Sequence, residues 1–203
     1  MIAIIDYGVG NLFSMCSSLK YIGLDAVITG DPAVVKRCDK LILPGVGAFA
    51  DAASMLRAGG LAELVIKEAS SGKPLLGVCL GMQLLFEKSF EFGEHKGLGL
   101  LGGVVAPIKP RAPAGYKIPH IGWNALIFHG AKPPLFKYIN EGDHVYFVHS
   151  FHAEECSDSL AATTEYGAYL TAAVASGNVF GTQFHPEKSG NVGLGILRAF
   201  AEI

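Results

Sequence analysis

Short apolar runs alternate, in the first half of the chain, with stretches whose apolar residues recur every three or four positions. The runs are rich in branched side chains and end at turn residues, which predicts buried strands at 2–5, 26–29, 41–43 and 74–78. The intervening periodicity predicts helices that begin after Asn11, at Pro32, at Leu61 and at Gly81, the last two over 61–70 and 81–87. Strands and helices that take turns in this way are typical of an open parallel sheet.

After residue 87 the helical period is lost and turn residues become frequent. Segments 97–108 and 116–128 combine strand-forming residues with Gly and Pro, which predicts a mixed or antiparallel extension of the sheet. Further strands are predicted at 145–148 and 179–184, and the apolar positions Ile196, Leu197, Phe200 and Ile203 predict a closing helix. No linker or repeat divides the chain, so we expect one α/β domain over residues 1–203, with 111–115 as a surface loop.

Composition and charge exclude several function classes. The 203 residues include 16 Lys and Arg against 18 Asp and Glu, so the chain has no overall basic field to attract nucleic acid or an anionic membrane. Half of the residues are hydrophobic and 17% are charged, which argues against disorder. The longest uncharged stretch, 166–186, is too polar for a membrane helix, and the first residues do not resemble a secretion signal. We therefore expect a soluble, cytoplasmic protein.

Metal and cofactor sites are not indicated. No pair among the four cysteines has C-x-x-C spacing, which favours neither a zinc site nor a disulfide frame, and Cys16 falls on the predicted core side of its helix. Four histidines lack a Cys or carboxylate at metal-ligand spacing: His95, His129, His144 and His152. The turn at Gly8 and Gly10 suggests dinucleotide binding, but Phe13 stands where the third glycine is needed, so that interpretation fails. We predict no metal and no cofactor.

The segment 75-LLGVCLGMQ-83 carries the most specific signal, because a buried strand runs directly into a helix with Cys79 at the junction. In the corresponding serine motif, G-x-S-x-G, a sharp turn lifts the nucleophile above the sheet and the flanking glycines avoid collisions with neighbouring backbone. Free N–H groups at the start of a helix favour a thiolate. Taken alone, such a cysteine is as often a buried structural residue or a redox sensor. A nucleophile would need a base.

A candidate base lies in 181-GTQFHPEKS-189. On an extended chain His185 and Glu187 point to the same side, so the carboxylate can orient the imidazole and stabilise its charge. The imidazole could then hold a thiolate as an ion pair and later protonate a leaving amine. An isolated His-x-Glu is more often incidental, but its combination with the Cys79 motif favours a catalytic site.

A tetrahedral intermediate also needs N–H donors for its oxyanion. The backbone of Leu80, which follows the predicted nucleophile, can supply one of them. The turn that contains Gly45 and Val46 is the best source of a second, because its glycines permit unusual backbone orientations. Taken alone, a Pro-Gly-x-Gly sequence is more often a tight turn without a catalytic role.

Together these segments resemble the class I glutamine amidotransferases, whose glutaminase domain joins a G-x-C-x-G elbow to a late His-x-Glu pair. The resemblance covers nearly the whole chain. Five segments are similar to the members of that class that serve histidine biosynthesis: 6-DYGVGN-11, 44-PGVGAF-49, 119-PHIGWN-124, 146-YFVHS-150 and 184-FHPEKS-189. The resemblance implies a flavodoxin-like, doubly wound fold with a mostly parallel sheet and a mixed or antiparallel extension.

The resemblance also implies roles for individual residues. Cys79 would attack the side-chain carboxamide of glutamine, His185 would pass a proton to the departing ammonia, and Glu187 would hold His185. Four residues would line the glutamine pocket: Gly45, Gln83, Ser150 and Phe151. Phe151 stands where the family commonly has Tyr, so a contact made by that hydroxyl would be missing, whereas a contact made by the backbone would be retained.

A partner is implied as well, because ammonia released into water would be protonated and lost as a nucleophile. The family's partner is a (β/α)8-barrel cyclase, which forms a heterodimer with the glutaminase and makes imidazole glycerol phosphate and aminoimidazole carboxamide ribotide. Four positions resemble its docking face: Asn11, Trp123, Tyr146 and Lys188. A single Trp is a core residue about as often as an interface residue. We also expect the isolated chain to be nearly inactive, because the turn at Gly45 could hold its N–H away from the oxyanion until docking.

Three alternatives stay open at this point. The chain could serve another acceptor, such as anthranilate or nucleotide synthesis. It could be a non-catalytic protein in which Cys79 senses oxidants. It could also be a stand-alone peptidase, which would need no partner.

Overall fold

The computed structural model describes all residues, 1–203, in fourteen strands and six helices. The strands are β1 (Ile2–Ile5), β2 (Ala26–Thr29), β3 (Lys40–Leu43), β4 (Leu75–Val78), β5 (Phe86–Ser89), β6 (His95–Lys96), β7 (Leu101–Pro107), β8 (His120–Ala125), β9 (Ile127–Phe128), β10 (His144–His149), β11 (Phe151–Glu154), β12 (Leu160–Glu165), β13 (Tyr169–Ser176) and β14 (Val179–Thr182). The helices are α1 (Leu12–Tyr21), α2 (Pro32–Arg37), α3 (Phe49–Ala58), α4 (Leu61–Ser70), α5 (Leu80–Leu84) and α6 (Gly190–Glu202), with 3₁₀ turns at Pro134–Phe136 and Pro186–Lys188.

The main sheet has eight strands in the order β2-β1-β3-β4-β14-β13-β12-β9. The first five run parallel to their neighbours, and β13, β12 and β9 continue the sheet in antiparallel fashion. The predicted α/β class, with a mostly parallel sheet and an antiparallel extension, is therefore confirmed. Two smaller sheets, β10-β8 and β11-β7-β5-β6, complete the extension.

Helices cover both faces of the parallel strands, because successive side chains of a strand point to opposite sides. In β1, Ala3 and Ile5 belong to a core formed with α2, α3 and α4. Ile2 and Ile4 belong to a second core formed with α1 and α6. All four residues of β1 are buried, which explains why this strand is a continuous apolar run without alternation. None of the six helices combines the length and the hydrophobicity that a membrane-spanning helix requires.

Several element boundaries differ from those predicted. The helix predicted over 81–87 is present but shorter. It ends at Leu84, and β5 follows with its two end residues buried and its middle residues more open. The strand predicted over 179–184 ends at Thr182, and Ile203 lies beyond the last helix and is partly exposed. Asn11 does occupy the N-cap position of α1, but its side chain makes no capping hydrogen bond.

Several elements were not predicted: α3 and the strands β5, β6, β11, β12 and β13. Helix α3 buries Phe49, Ala52, Ala53 and Leu56, a spacing of three and four that the sequence does display. Strands β12 and β13 are different, because both are buried along most of their length and show no alternation of apolar and polar residues. The loop at 111–115 lies mostly at the surface, in agreement with the prediction.

Candidate active site

Cys79 lies at the tip of a sharp turn between β4 and α5. Its backbone has φ +54° and ψ −112°, which is rare for a residue with a side chain, and the side chain is largely buried. A Cβ on Gly77 would lie 2.7 Å from the Cα of Met82, and a Cβ on Gly81 would overlap the carbonyl oxygen of Leu43. Both glycines are therefore needed so that the strand, the turn and the helix can pack this closely.

The helix after Cys79 is short. Helix α5 contains five residues, whereas the prediction gave it seven, so fewer peptide dipoles point at the sulfur than expected. Stabilisation of a thiolate at this position therefore depends more on nearby side chains.

His185 and Glu187 form a buried pair, with 2.8 Å between His185 Nδ1 and Glu187 Oε1. Their side chains are 3% and 2% exposed. The pairing does not come from an extended chain as expected, because His185 precedes the 3₁₀ turn at Pro186–Lys188, which folds the carboxylate back onto the ring. Burial acts to lower the pKa of His185, but its interactions with Cys79 and Glu187 outweigh burial and raise that pKa to about 9. An imidazolium is therefore the stable form beside a thiolate.

The parallel pairing of β4 and β14 brings these two distant segments together. Val78 lies opposite Thr182, and the Cys79 N–H donates to the Thr182 carbonyl at 2.7 Å. The carboxyl ends of both strands therefore meet at one edge of the sheet, and Cys79 and His185 line the same pocket. His185 Nε2 is buried and has no hydrogen-bond partner in this structure, and Cys79 is the largest of the influences that raise the pKa of His185.

The pocket has a volume of about 360 Å³. Of the residues predicted to bind substrate or an oxyanion, five contribute to its lining: Val46, Leu80, Gln83, Ser150 and Phe151. Gly45 lies behind the wall instead, where a Cβ would approach the Tyr7 hydroxyl at 2.8 Å and the Gly81 nitrogen at 2.9 Å. Tyr7 donates a hydrogen bond to the Pro44 carbonyl at 2.7 Å and so holds the start of this turn.

Phe151 contributes to the site through its backbone. Its carbonyl accepts hydrogen bonds from Gln83 Nε2 at 3.1 Å and from His149 Nδ1 at 2.9 Å, while its ring packs edge-on against Phe92. Burial lowers the pKa of His149 to about 3, so this histidine is neutral, with its proton on Nδ1. A tyrosine hydroxyl at position 151 is not needed for either backbone contact.

Sequence analysis missed Glu91 and Gln183, two buried polar residues at the site. Glu91 lines the pocket, and its Oε2 accepts a hydrogen bond of 2.6 Å from the Phe49 N–H at the start of α3. Gln183 lies two residues before His185 and contacts the Cys79 sulfur. Gln183 lies inside the segment 181-GTQFHPEKS-189, so its position beside Cys79 could have been predicted from the pairing of the two strands. No sequence motif around Glu91 indicates that this residue lines the pocket.

The residues predicted for docking include a contiguous surface group, in which Trp123 and Lys188 are exposed and Tyr146 beside them is half-buried. The Trp123 side chain is 53% exposed, so it is not a core residue, and its ring lies 5.9 Å from that of Tyr146. Lys188 Nζ lies 5.9 Å from the Tyr146 ring centre. Tyr146 also accepts a hydrogen bond of 3.0 Å from the His185 N–H through its carbonyl, so this surface adjoins the buried histidine. Asn11 lies at the start of α1.

A second histidine–carboxylate pair lies outside the pocket. His152 is buried, and its Nε2 lies 3.0 Å from Glu154 Oε1, whereas the sequence suggested no such partner. Glu154 also forms a two-pronged ion pair with Arg111. Neither His152 nor Glu154 lines the pocket that contains Cys79. Nowhere in the chain do three or more His, Cys, Asp or Glu side chains converge in a way that could hold a metal ion.

Comparison with known proteins extends this picture. The family model described as glutamine amidotransferase class-I matches residues 3–202. The chain is 50% identical over 205 residues to imidazole glycerol phosphate synthase subunit HisH of Wolinella succinogenes, with all of both chains covered. It is 51% identical over 204 residues to the HisH subunit of Caldanaerobacter subterraneus, covering all of this chain and 98% of that relative.

Solved structures show the same fold at lower identity. A crystal structure of a glutamine amidotransferase superimposes with a TM-score of 0.76 at 21% identity, covering 100% of this chain and 98% of the other. PurLQS from Thermotoga maritima superimposes with a TM-score of 0.75 at 22% identity, covering 99% and 97%. Since the family model matches nearly every residue and the relatives named HisH share half of them, the chain belongs to the class-I glutamine amidotransferase family.

Proposed function

We propose that this chain is the glutaminase subunit of imidazole glycerol phosphate synthase: it hydrolyses glutamine and delivers the ammonia to a (β/α)8-barrel cyclase in histidine biosynthesis. One observation carries the proposal. Cys79, on its strained turn, and His185, buried in a pair with Glu187, line the same pocket. Full-length relatives named as HisH subunits of that synthase support the choice of pathway. A cytoplasmic location stays a prediction.

Each member of the triad has a defined task in this proposal. The Cys79 thiolate attacks the carboxamide carbon of glutamine, and the carbonyl oxygen takes the negative charge. We assign the stabilisation of that oxyanion to the backbone N–H groups of Leu80 and of the turn at Val46, because both residues line the pocket. The His185 imidazolium then gives its Nε2 proton to the departing nitrogen, and ammonia leaves as the thioester forms. Glu187 holds Nδ1 throughout.

Hydrolysis of the thioester completes the cycle. Neutral His185 takes a proton from water as the water oxygen attacks the thioester carbon, and glutamate and the thiolate are released. Because the pKa of His185 is raised to about 9, the ring keeps the proton that it took from water once the thiolate is restored. The thiolate–imidazolium pair is then ready for the next glutamine.

The pocket also suits the other end of glutamine. Free glutamine carries an α-ammonium group, and Glu91 places a carboxylate in the wall of the pocket. Ser150 and the Gln83 carboxamide provide polar groups on other parts of the wall. We infer that these groups select an amino acid with a free α-amino group, which disfavours a peptidase.

Docking of the cyclase would use the surface group of Trp123, Tyr146 and Lys188, together with Asn11 at the start of α1. An exposed Trp beside a Tyr is the composition expected of an interface centre. Its position next to His185 would let ammonia leave towards the partner and not into bulk water.

The experiment is a glutaminase assay of the purified chain alone, with a (β/α)8-barrel cyclase and the cyclase ligand, and with an unrelated synthase. We expect hydrolysis to rise with the cyclase and to vanish in Cys79→Ser. A chloroketone analogue of glutamine should form an adduct on Cys79, detected by mass spectrometry. Ready sulfenate formation at Cys79 without an adduct would support the oxidant sensor, and stimulation only by an unrelated synthase would exclude the cyclase as the partner.

A further inference from the structure

A fully buried carboxamide, that of Gln183, lies against the sulfur of Cys79. Gln183 has no exposed surface, and its Nε2 lies 3.7 Å from Cys79 Sγ. The contact follows from strand register: Val78 lies opposite Thr182 in the parallel pair, so the next residues along, Cys79 and Gln183, are neighbours. A main-chain hydrogen bond of 2.8 Å from the Gln183 N–H to the Ala172 carbonyl fixes the backbone on the other side.

The orientation of this carboxamide is determined by a carbonyl two hydrogen bonds away. The Phe151 carbonyl can only accept, so the Gln83 atom that faces it at 3.1 Å is the donor Nε2. The same Nε2 lies 3.0 Å from Gln183, so the Gln183 atom there is the acceptor Oε1. The remaining end of the Gln183 carboxamide is its NH₂ group, and this end faces the sulfur. Gln183 therefore presents a donor to Cys79.

A donor at this position favours an anion. Hydrogen bonds to an ionised acceptor are about twice as strong as those between neutral groups, so an N–H that points at sulfur stabilises the thiolate more than the thiol. The helix after Cys79 has only five residues and contributes little. His185 acts on the sulfur through its charge, and Gln183 supplies a hydrogen-bond donor at 3.7 Å. This donor, held by a fully buried side chain, also limits the rotation of the Cys79 side chain.

We propose that Gln183 is a positioning residue for the nucleophile, which holds the Cys79 sulfur in place and stabilises its thiolate by donating one hydrogen bond. The inference rests on the proposed function, in which Cys79 attacks glutamine. Gln183 is absent from the lining of the pocket, so its loss should lower kcat/KM through the nucleophile. Gln183→Leu also removes the acceptor of the pocket residue Gln83, and a variant that keeps this acceptor separates the two effects.

The test is the pH profile of Cys79 alkylation by iodoacetamide in the full chain, read by peptide mapping because three other buried cysteines are present. In Gln183→Leu we expect the midpoint of the profile to rise by about one pH unit, with an unchanged limiting rate at high pH, where all of the sulfur is ionised. Thr182→Val is the matched control. It removes a buried hydrogen bond of 3.1 Å to the Phe184 carbonyl from the adjacent residue and should leave the profile unmoved.

A second variant, Gln183→Glu, separates this role from a structural one. Glutamate keeps the size of the side chain and an acceptor for Gln83. If the role of Gln183 were only structural, Gln183→Glu would change the alkylation of Cys79 less than Gln183→Leu does. Our inference predicts the opposite, since an oxygen then faces the thiolate and should slow alkylation at neutral pH at least as much as leucine does. This variant also decides the question if Gln183→Leu does not fold.

The inference is overturned if the profiles of the Gln183 variants coincide with that of the parent, or if Thr182→Val moves the profile equally. Such a result would leave the proposed function intact, provided that the parent still hydrolyses glutamine with the cyclase. Conversely, an inactive parent would refute the proposed function, while the alkylation profiles would still report on Gln183.

Discussion

Replacement of Glu187 by Gln tests the charge balance of the site most directly. The pKa of His185, about 9, exceeds its ordinary value of 6.5 by an amount that corresponds to about 3.4 kcal/mol in favour of the imidazolium. Both the Cys79 sulfur and the Glu187 carboxylate contribute, against the opposing effect of burial. If the carboxylate supplies half, its loss destabilises the imidazolium by about 1.7 kcal/mol, or roughly twentyfold in its proton affinity.

The expected effect on activity is larger than this electrostatic part. The carboxamide of Glu187→Gln can present its NH₂ group to His185 Nδ1, which would then carry no proton, and loss of the orienting carboxylate in such triads costs up to about 10⁴-fold in kcat. We therefore expect kcat of the glutaminase to fall by at least about twentyfold. The alkaline limb of its pH profile should also move to lower pH, because His185 loses its proton more readily.

The sign of the pH effect on stability follows from the same pKa. Because the folded state raises the pKa of His185, the stabilisation is fully present below about pH 6.5 and is lost as the pH rises through about 9. In Glu187→Gln the pKa of His185 is lower, so this contribution to the free energy of unfolding should be lost at a lower pH than in the parent. The assay is glutamine hydrolysis by the complex between about pH 6 and about pH 10, with thermal unfolding of the full chain over the same range.

The chain offers a matched control for this variant. Glu154 also pairs with a buried histidine two residues before it, His152, at 3.0 Å, but this pair does not line the pocket. Glu154→Gln should leave kcat and the pH profile of hydrolysis unchanged. Our reasoning would be refuted if Glu187→Gln kept the rate and the alkaline limb of the parent, or if both substitutions moved them equally.

Three further predictions concern the nucleophile, the turn and the docking surface. In Cys79→Ser the pKa of His185 should fall towards its ordinary value, because the charge of the thiolate is lost; an NMR titration of the ring that still gave about 9 would contradict this. Gly81→Ala should destabilise the fold by more than about 3 kcal/mol in urea unfolding, because the added Cβ overlaps a backbone carbonyl, whereas Gly102→Ala, with open space around it, should be nearly neutral. Trp123→Ala should weaken cyclase binding at least about tenfold by calorimetry without a change in thermal unfolding, and a lower unfolding temperature would place this side chain in the fold instead.

The parallel half of the fold could be predicted from the sequence because its strands are buried on both faces. In β1 and β4 every residue is buried, so each appears as a short apolar run that ends at a turn. The antiparallel half gives weaker signals. Strand β13 has five consecutive buried residues, including Thr171 and small alanines, and so it shows neither alternation nor a strongly apolar run. Its identity depends on β12 and β14, which pair with it from either side.

The candidate site could be predicted in part for a similar reason. Cys79 lies in a motif whose glycines have a steric cause, and that cause is visible in the sequence. Glu91 gives no such signal, because its place in the pocket depends on how β5 and the start of α3 pack, and α3 was not predicted. The His185–Glu187 pair was predicted for the wrong reason, since a 3₁₀ turn and not an extended strand brings the two side chains together.

Strand β10 links the docking surface to the pocket, and only its three-dimensional pairing reveals this. Its pairing with β8 places Tyr146 opposite Trp123, and the Tyr146 carbonyl accepts a hydrogen bond from the His185 backbone. Three residues further on, His149 lines the pocket and holds the Phe151 carbonyl, which in turn orients Gln83. A displacement of β10 by a docked partner would therefore act on the base and on the substrate pocket at once. The two effects are coupled directly, because the contact with the His185 backbone and the contact with the Phe151 carbonyl both belong to β10.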